Sequence, residues 1–283
     1  MLGCHMIWGF QPLYFALDDS IDTAALLAYR IIWVFIICLL ILKIRGLIPE
    51  LTSAIKNKDV MKREIPAAFL LLADWSIYLI AVRCNRIMEC VMGYYIMPLV
   101  MVFLGIVVYK EKVKIHHIAA ILLIVVGIVL SSSGFGAFPW ITLSLSLAFA
   151  VYSALKKSLS IDSIASMVIE TMVMLPIAII YLIFFAPEAS KVMNLSLSQH
   201  LFALGTGIIT GLPMILFTTG LKSLSMADAG ILEYMSPTFG LISSIILGEV
   251  LTEGKLMSFA FIWVGIIIYL VFEYGKLTRK RST

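Results

Sequence analysis

Charged side chains inside long apolar runs are the residues of this chain equipped for chemistry. Arg30, Asp74, Glu170 and Glu233 stand within such runs, and Glu89 opens one. A charge in hydrocarbon is costly, so each of these needs a partner, a wet cavity or a function. The planar fork of an arginine suits a carboxylate or a similar anionic group. An intramembrane carboxylate can bind a cationic group or carry a proton. Tyr94, Tyr95 and Tyr234 lie close to these positions. With Trp8, Trp33 and Trp75 they could line an aromatic pocket, although Trp and Tyr also settle at membrane interfaces. The plainer reading of every one of these charges is a helix-locking ion pair. That reading weighs as much as the functional one for Arg30 and Glu89.

Several chemistries are missing. There is no Gly-x-Ser-x-Gly, no His-Glu-x-x-His and no phosphate loop. Cys4, Cys38, Cys84 and Cys90 are scattered without metal-ligand spacing, and a disulfide framework is not expected. Neither a metal nor a cofactor is implied, and no ATPase segment is present. An enzyme would need a nucleophile–base pair or a metal cluster.

The elements that must position these charges follow from composition. Of 283 residues, 61% are hydrophobic and 13% charged, and the mean hydropathy is +1.05. Soluble domains sit near 45–50% apolar and about 25% charged. The chain reads as an all-α polytopic membrane protein with its surplus apolar surface against lipid. A span needs about 20 apolar residues to cross a ~30 Å core. Ten such runs are predicted: 1–17, 24–42, 65–82, 88–109, 115–131, 137–155, 163–185, 200–221, 226–247 and 255–273. The first opens at Met1 with no flanking segment, and no basic stretch precedes it as a cleavable signal would require. Residues 49–57 could form a short surface helix.

Basic residues set the orientation. With the N-terminus in the cytoplasm, 16 Lys and Arg fall in inner loops and the tail, from Lys43 to Arg281. Only 4 fall outside, namely Arg83, Arg86, Lys191 and Lys255. Both termini are then cytoplasmic. The net charge of +4 is explained by these loops and implies no nucleic acid.

The chain also repeats itself. The stretch 70–98 returns as 209–237 at a shift of 139 positions. Arg83 falls on Lys222, Glu89 on Asp228, Tyr95 on Tyr234 and Pro98 on Pro237. Past the prolines Glu111 meets Glu249 at a shift of 138. Two related halves, 1–135 and 136–283, therefore form one membrane domain. Each half has five spans, an odd number, so the second half enters the membrane upside down. Inverted repeats with a site near the midplane between them are how alternating-access transporters are built.

Depth then ranks the charges. Asp74 falls about nine residues into its span, near the midplane at 1.5 Å per residue. Arg30 and Glu170 lie about seven residues, ~10 Å, from opposite faces. Asp74 is expected to face a wet cavity, with Arg30 and Glu170 as its nearest polar neighbours. Pro98 and Pro237 occupy matched places and are candidate hinges. Glu111 and Glu249 read as matched end-caps. His116 and His117 belong to a basic loop. Gly205, Gly207 and Gly211 allow close helix approach.

Particular stretches look familiar. They are Ile7-Trp8-Gly9, Tyr29-Arg30-Ile31-Ile32-Trp33, Gly93-Tyr94-Tyr95-Ile96-Met97-Pro98, Val168-Ile169-Glu170-Thr171-Met172, Leu175-Pro176, Glu233-Tyr234-Met235-Ser236-Pro237-Thr238 and Phe259-Ala260-Phe261-Ile262-Trp263-Val264. Together with ten short spans in two inverted halves, they resemble the EamA type of the drug/metabolite transporter superfamily. The similarity is closest to the RarD-type permeases, also named chloramphenicol-sensitive proteins. It covers nearly the whole chain, but departs from the family pattern at Asp74 and at the short N-terminus. The resemblance implies a plasma-membrane permease with cytoplasmic termini. The expectation is a secondary transporter that exports a small polar or amphipathic metabolite or drug, with Asp74 and Glu170 as candidates for proton coupling. The rival from another class is a non-transporting membrane receptor or scaffold. It predicts no solute flux and no cavity between the halves.

Overall fold

In the computed structural model, residues 1–84, 86–111 and 140–248 are described, with isolated positions within 118–126 and 260–271. Glu249, His116, His117 and most of the expected spans 115–131 and 255–273 lie outside the described residues.

All regular structure among the described residues is helical. Helices α1 (Leu2–Phe15), α2 (Thr23–Ile44), α3 (Ile48–Lys56), α4 (Lys58–Arg83) and α5 (Ile87–Tyr109) come from the first half. Helices α6 (Trp140–Lys157), α7 (Ser163–Phe184), α8 (Leu197–Leu221), α9 (Met226–Glu233) and α10 (Met235–Ile246) come from the second. Two short 3-10 turns, Glu188–Ser190 and Val192–Asn194, join α7 to α8. By length and composition α2, α4, α5, α7 and α8 can each cross a membrane. The surface helix expected at 49–57 is α3.

Helices α2, α4, α7, α8 and α9 start where a polar side chain takes up free N–H groups of the first turn. Asp22 accepts from Ala24 and Ala25 at 3.1 and 2.9 Å. Asp162 accepts from Ile164 and Ala165 at 2.8 and 3.4 Å. Both aspartates end the same tripeptide, Ser20-Ile21-Asp22 and Ser160-Ile161-Asp162, a further trace of the repeat. Asn57 caps α4, and Ser196 with Gln199 makes a capping box on α8. These polar caps start α4 seven residues and α8 three residues before their apolar runs. Hydropathy sees only the part of a helix that is immersed.

The expected span 226–247 is two helices, α9 and α10, parted at Tyr234. Pro237 is the third residue of α10. A proline ring excludes the carbonyl four residues back, here that of Glu233, so the helix breaks there. Pro98, its counterpart, lies within an unbroken α5. The two matched prolines thus have different outcomes.

Packing pairs the halves. Helix α2 packs on α7, α5 on α6, α1 on α10, α4 on α6, α2 on α8, α5 on α9, α1 on α8 and α4 on α7. Exchange of the two halves maps this set onto itself: α1–α10 becomes α6–α5, α4–α6 becomes α8–α1, and α2–α8 becomes α7–α4. The matched helices α2 and α7 run antiparallel. Tyr181, near the end of α7, donates to Asp22 at the start of α2 at 2.8 Å. Arg45, past the end of α2, lies 3.8 Å from Asp162 at the start of α7. The second half is therefore inverted relative to the first. Tyr95 and its repeat counterpart Tyr234 stack on each other, with ring centroids 6.2 Å apart.

Candidate functional site

Helices from both halves enclose a cavity with an empty volume of about 740 Å³, open solvent included. Helix α1 contributes Trp8, Gly9, Gln11 and Pro12, α2 contributes Arg30, and α4 contributes Asp74, Trp75 and Tyr78. Helix α5 adds Cys90, Val91, Tyr94 and Met97. The second half adds Phe149, Met214, Glu233, Ser236, Pro237 and Gly240. The walls are mostly apolar and aromatic with a few convergent charges, the usual make-up of a small-molecule site.

The charges face the cavity with unused valence. Arg30 is 3% exposed, with its guanidinium 4.5 Å from the Trp75 ring centroid and 5.6 Å from that of Phe15. Aromatic faces attract a cation and fix the plane of the fork. Its Nε and Nη1 have no hydrogen-bond partner. Asp74 is 4% exposed, and its Oδ1 is likewise unpartnered. The two groups sense each other's charge without forming an ion pair. From the second half Glu233 also lines the cavity, its Oε1 without a hydrogen-bond partner and its Oε2 3.5 Å from His5 Nδ1. A buried polar atom left unpaired costs roughly 1–3 kcal/mol. Several such atoms around one void form a lining that a polar solute can satisfy.

Of the residues singled out in the sequence, Arg30, Asp74, Tyr94, Glu233 and Pro237 line this cavity, as do Trp8 and Trp75. Glu170 does not. It lies in a separate buried cluster, with Oε1 2.9 Å from Lys156 Nζ and Oε2 accepting from the Tyr152 hydroxyl at 3.3 Å. Glu89 is spent on Arg86, with contacts of 2.5 and 2.9 Å at the start of α5. Tyr95 and Tyr234 occupy the α5–α9 junction against each other. Trp33 packs under Gly207 of α8. Glu111 caps across the halves, accepting from the N–H groups of Met226 and Ala227 at 2.9 and 3.3 Å.

Sequence reasoning missed His5, Gln11, Tyr78 and Phe149, which look like ordinary span residues. It also missed Glu64 and Lys156, which it assigned to loops. Lys156, counted among the inner-loop cations, is 1% exposed and Glu64 is 0% exposed. The signal was the run-on of helix propensity beyond the apolar edges at 65 and 155. Among the described residues no His/Cys/Asp/Glu group could hold a metal ion.

An all-helical, polytopic bundle of inverted halves around an amphipathic cavity defines a membrane permease of the transporter class. The EamA-like transporter family matches residues 1–133 and again 138–271. The chain belongs to that family, and within it to the RarD type. An uncharacterized transporter of Pseudomonas aeruginosa is 31% identical over 98% of this chain and 94% of its own length. The uncharacterized transporter YojE of Bacillus subtilis is 31% identical over 98% and 93%. The protein RarD of Escherichia coli is 29% identical over 95% and 92%. A solved crystal structure superposes with a TM-score of 0.74 over 94% of each chain at 16% identity, a likeness of fold alone.

Proposed function

We propose that this protein is a secondary transporter that moves a small amphipathic solute across the plasma membrane by alternating access of its two halves. The observation that carries the reading is the cavity between the halves, with Arg30 Nε and Nη1 and Asp74 Oδ1 buried and unpartnered on its wall. Arg30 takes an anionic group of the solute. Asp74 takes a cationic group, or a proton in its place, which links flux to a gradient. Trp8, Trp75, Tyr78, Tyr94 and Phe149 hold the apolar body. Both termini are cytoplasmic, by the asymmetry of loop Lys and Arg. Export is the direction favoured by the kinship with drug and metabolite carriers. Membership of a transporter family supports transport rather than catalysis as the function.

The test is flux into proteoliposomes holding purified protein, run with a panel of zwitterionic, anionic, cationic and neutral amphipathic solutes. Saturable flux of a zwitterionic or anionic solute, lost on Arg30→Gln, is the expected result. Tight binding without flux of any solute in the panel would establish the receptor or scaffold instead.

A further inference from the structure

A second group of buried charges lies outside the cavity, where α4 of the first half meets α6 and α7 of the second. Lys156 Nζ stands 3.0 and 2.9 Å from the two oxygens of Glu64 and 2.9 Å from Glu170 Oε1. Ser166 donates to Glu64 Oε1 at 2.5 Å and also contacts the Lys156 ammonium. All four side chains are at most 2% exposed. A path of contacts leads to the cavity: Tyr152, bonded to Glu170, packs its ring 5.5 Å from that of Phe149 on the cavity wall.

The cluster holds one cation and two carboxylates. Fully ionised it would carry a net charge of minus one in a site closed to water. Two carboxylates that share a desolvated site do not both stay ionised when only one cation serves them. The two are not equivalent. Glu64 has both oxygens on the ammonium and a hydroxyl donor besides. Glu170 has less: its Oε1 lies 2.9 Å from the ammonium without hydrogen-bond geometry, and its Oε2 accepts one longer bond, from the Tyr152 hydroxyl at 3.3 Å.

The surrounding elements do not make up the deficit. From α2 the Cys38 thiol faces Glu170 and brings no positive charge. From the end of α8 Lys222 acts on Glu64, while its ammonium is bound to the Ile161 carbonyl and Ser163. From α3 Glu50 accepts from the Asp162 N–H, at the far start of α7.

We infer that Glu64, Lys156 and Glu170 form a single-proton site, with the proton on Glu170, that ties the protonation state of the protein to the contact between its halves. One proton makes the cluster neutral and holds α4 against α6 and α7. Its release leaves an ionised Glu170 beside an ionised Glu64, and their repulsion acts across the α4–α7 contact. The released proton passes to water, and the cluster regains one when the halves close again. The site itself stands on geometry. Only its use in driving flux rests on the transporter reading above.

The experiment is infrared spectroscopy of purified protein in lipid nanodiscs across a pH series, following the carbonyl band of protonated carboxylic acids. Glu170→Gln should remove one protonated carboxyl relative to wild type. Glu64→Gln should remove one as well, because Glu170 then becomes the sole counter-ion of Lys156 and ionises. If one variant does not fold, the other decides alone. Should both fail to fold, the absence of any titrating carboxyl component from the Asp74→Asn protein overturns the inference. An unchanged band in Glu170→Gln, or in Glu64→Gln, also overturns it. In proteoliposomes Glu170→Gln should still carry solute down its own gradient while losing drive by a pH gradient. If wild type moves no solute at all, the transporter reading fails while the infrared result still decides the proton site.

Discussion

Helix α2 carries Arg30, and its position is set where α8 presses on it at Gly207. A Cβ added at Gly207 would stand 2.5 Å from Trp33 Cβ, 3.0 Å from the Trp33 carbonyl carbon and 3.2 Å from the Val34 nitrogen. Carbon atoms pack at about 3.5–4.0 Å, so α2 and α8 must separate by about 1 Å. The atoms in the way are the Trp33 Cβ, fixed to its backbone, and two backbone atoms, so no rotamer change relieves them. Overpacking of this kind costs about 1–3 kcal/mol. Against it stands the gain in helix propensity of alanine over glycine, at most about 1 kcal/mol.

Gly211, one turn along the same face, separates the two effects. Its added Cβ would meet Val34 Cγ1 at 3.5 Å and Cys38 Sγ at 3.7 Å, which is ordinary contact. The propensity gain is common to both variants and cancels in the comparison. Gly207→Ala should therefore be about 1–3 kcal/mol less stable than Gly211→Ala. It should also weaken solute binding, because Arg30 lies one turn before Val34. Denaturant unfolding of the two variants in the same detergent reads the difference. Equal stability for the two would refute the reasoning that the α2–α8 approach is limited at Gly207.

Other perturbations test the site and the topology. Arg30→Gln should lower apparent affinity for a carboxylate-bearing solute by about 1.5–3 kcal/mol, roughly ten- to hundredfold, the worth of a charge-assisted hydrogen bond; a competition assay across solutes with and without the carboxylate reads it. Asp74→Asn should fold normally and lose the pH dependence of flux, whereas Asp74→Leu should fill the cavity and stop transport of every solute. Flux equal to wild type at every pH in Asp74→Asn would remove the charge from the mechanism. For topology, a single cysteine at Met193, which is 94% exposed, should label with an impermeant reagent outside intact cells, and one at Lys58 should not. Ser190, in the same loop, is a poor labelling position because it is 2% exposed and its hydroxyl accepts from the Asp22 N–H.

Composition and spacing by themselves determined the all-α membrane class, the places of the five long apolar helices α2, α4, α5, α7 and α8, and the inverted relation of the halves, but not the break of the expected span 226–247 into α9 and α10. Those follow from local quantities: apolar length against bilayer thickness, loop charge, and an odd number of spans per repeat. Charge inside an apolar run also marked Arg30, Asp74 and Glu233, because a buried charge stands out in sequence whatever surrounds it. Which charges share a space was not legible. Glu170 and Asp74 look alike along the chain, yet one faces Lys156 in a closed cluster and the other a cavity. The difference depends on the rotation of α4 and α7 about their axes, which the packing of neighbouring helices sets. Glu64 and Lys156 escaped notice for a related reason. Hydropathy ends a span at its last apolar residue, while the helix continues, and only the approach of α4, α6 and α7 buries the charged turns beyond. Tertiary contact likewise gave Pro98 and Pro237 their different surroundings, one inside a continuous helix and the other just past a break beside the cavity.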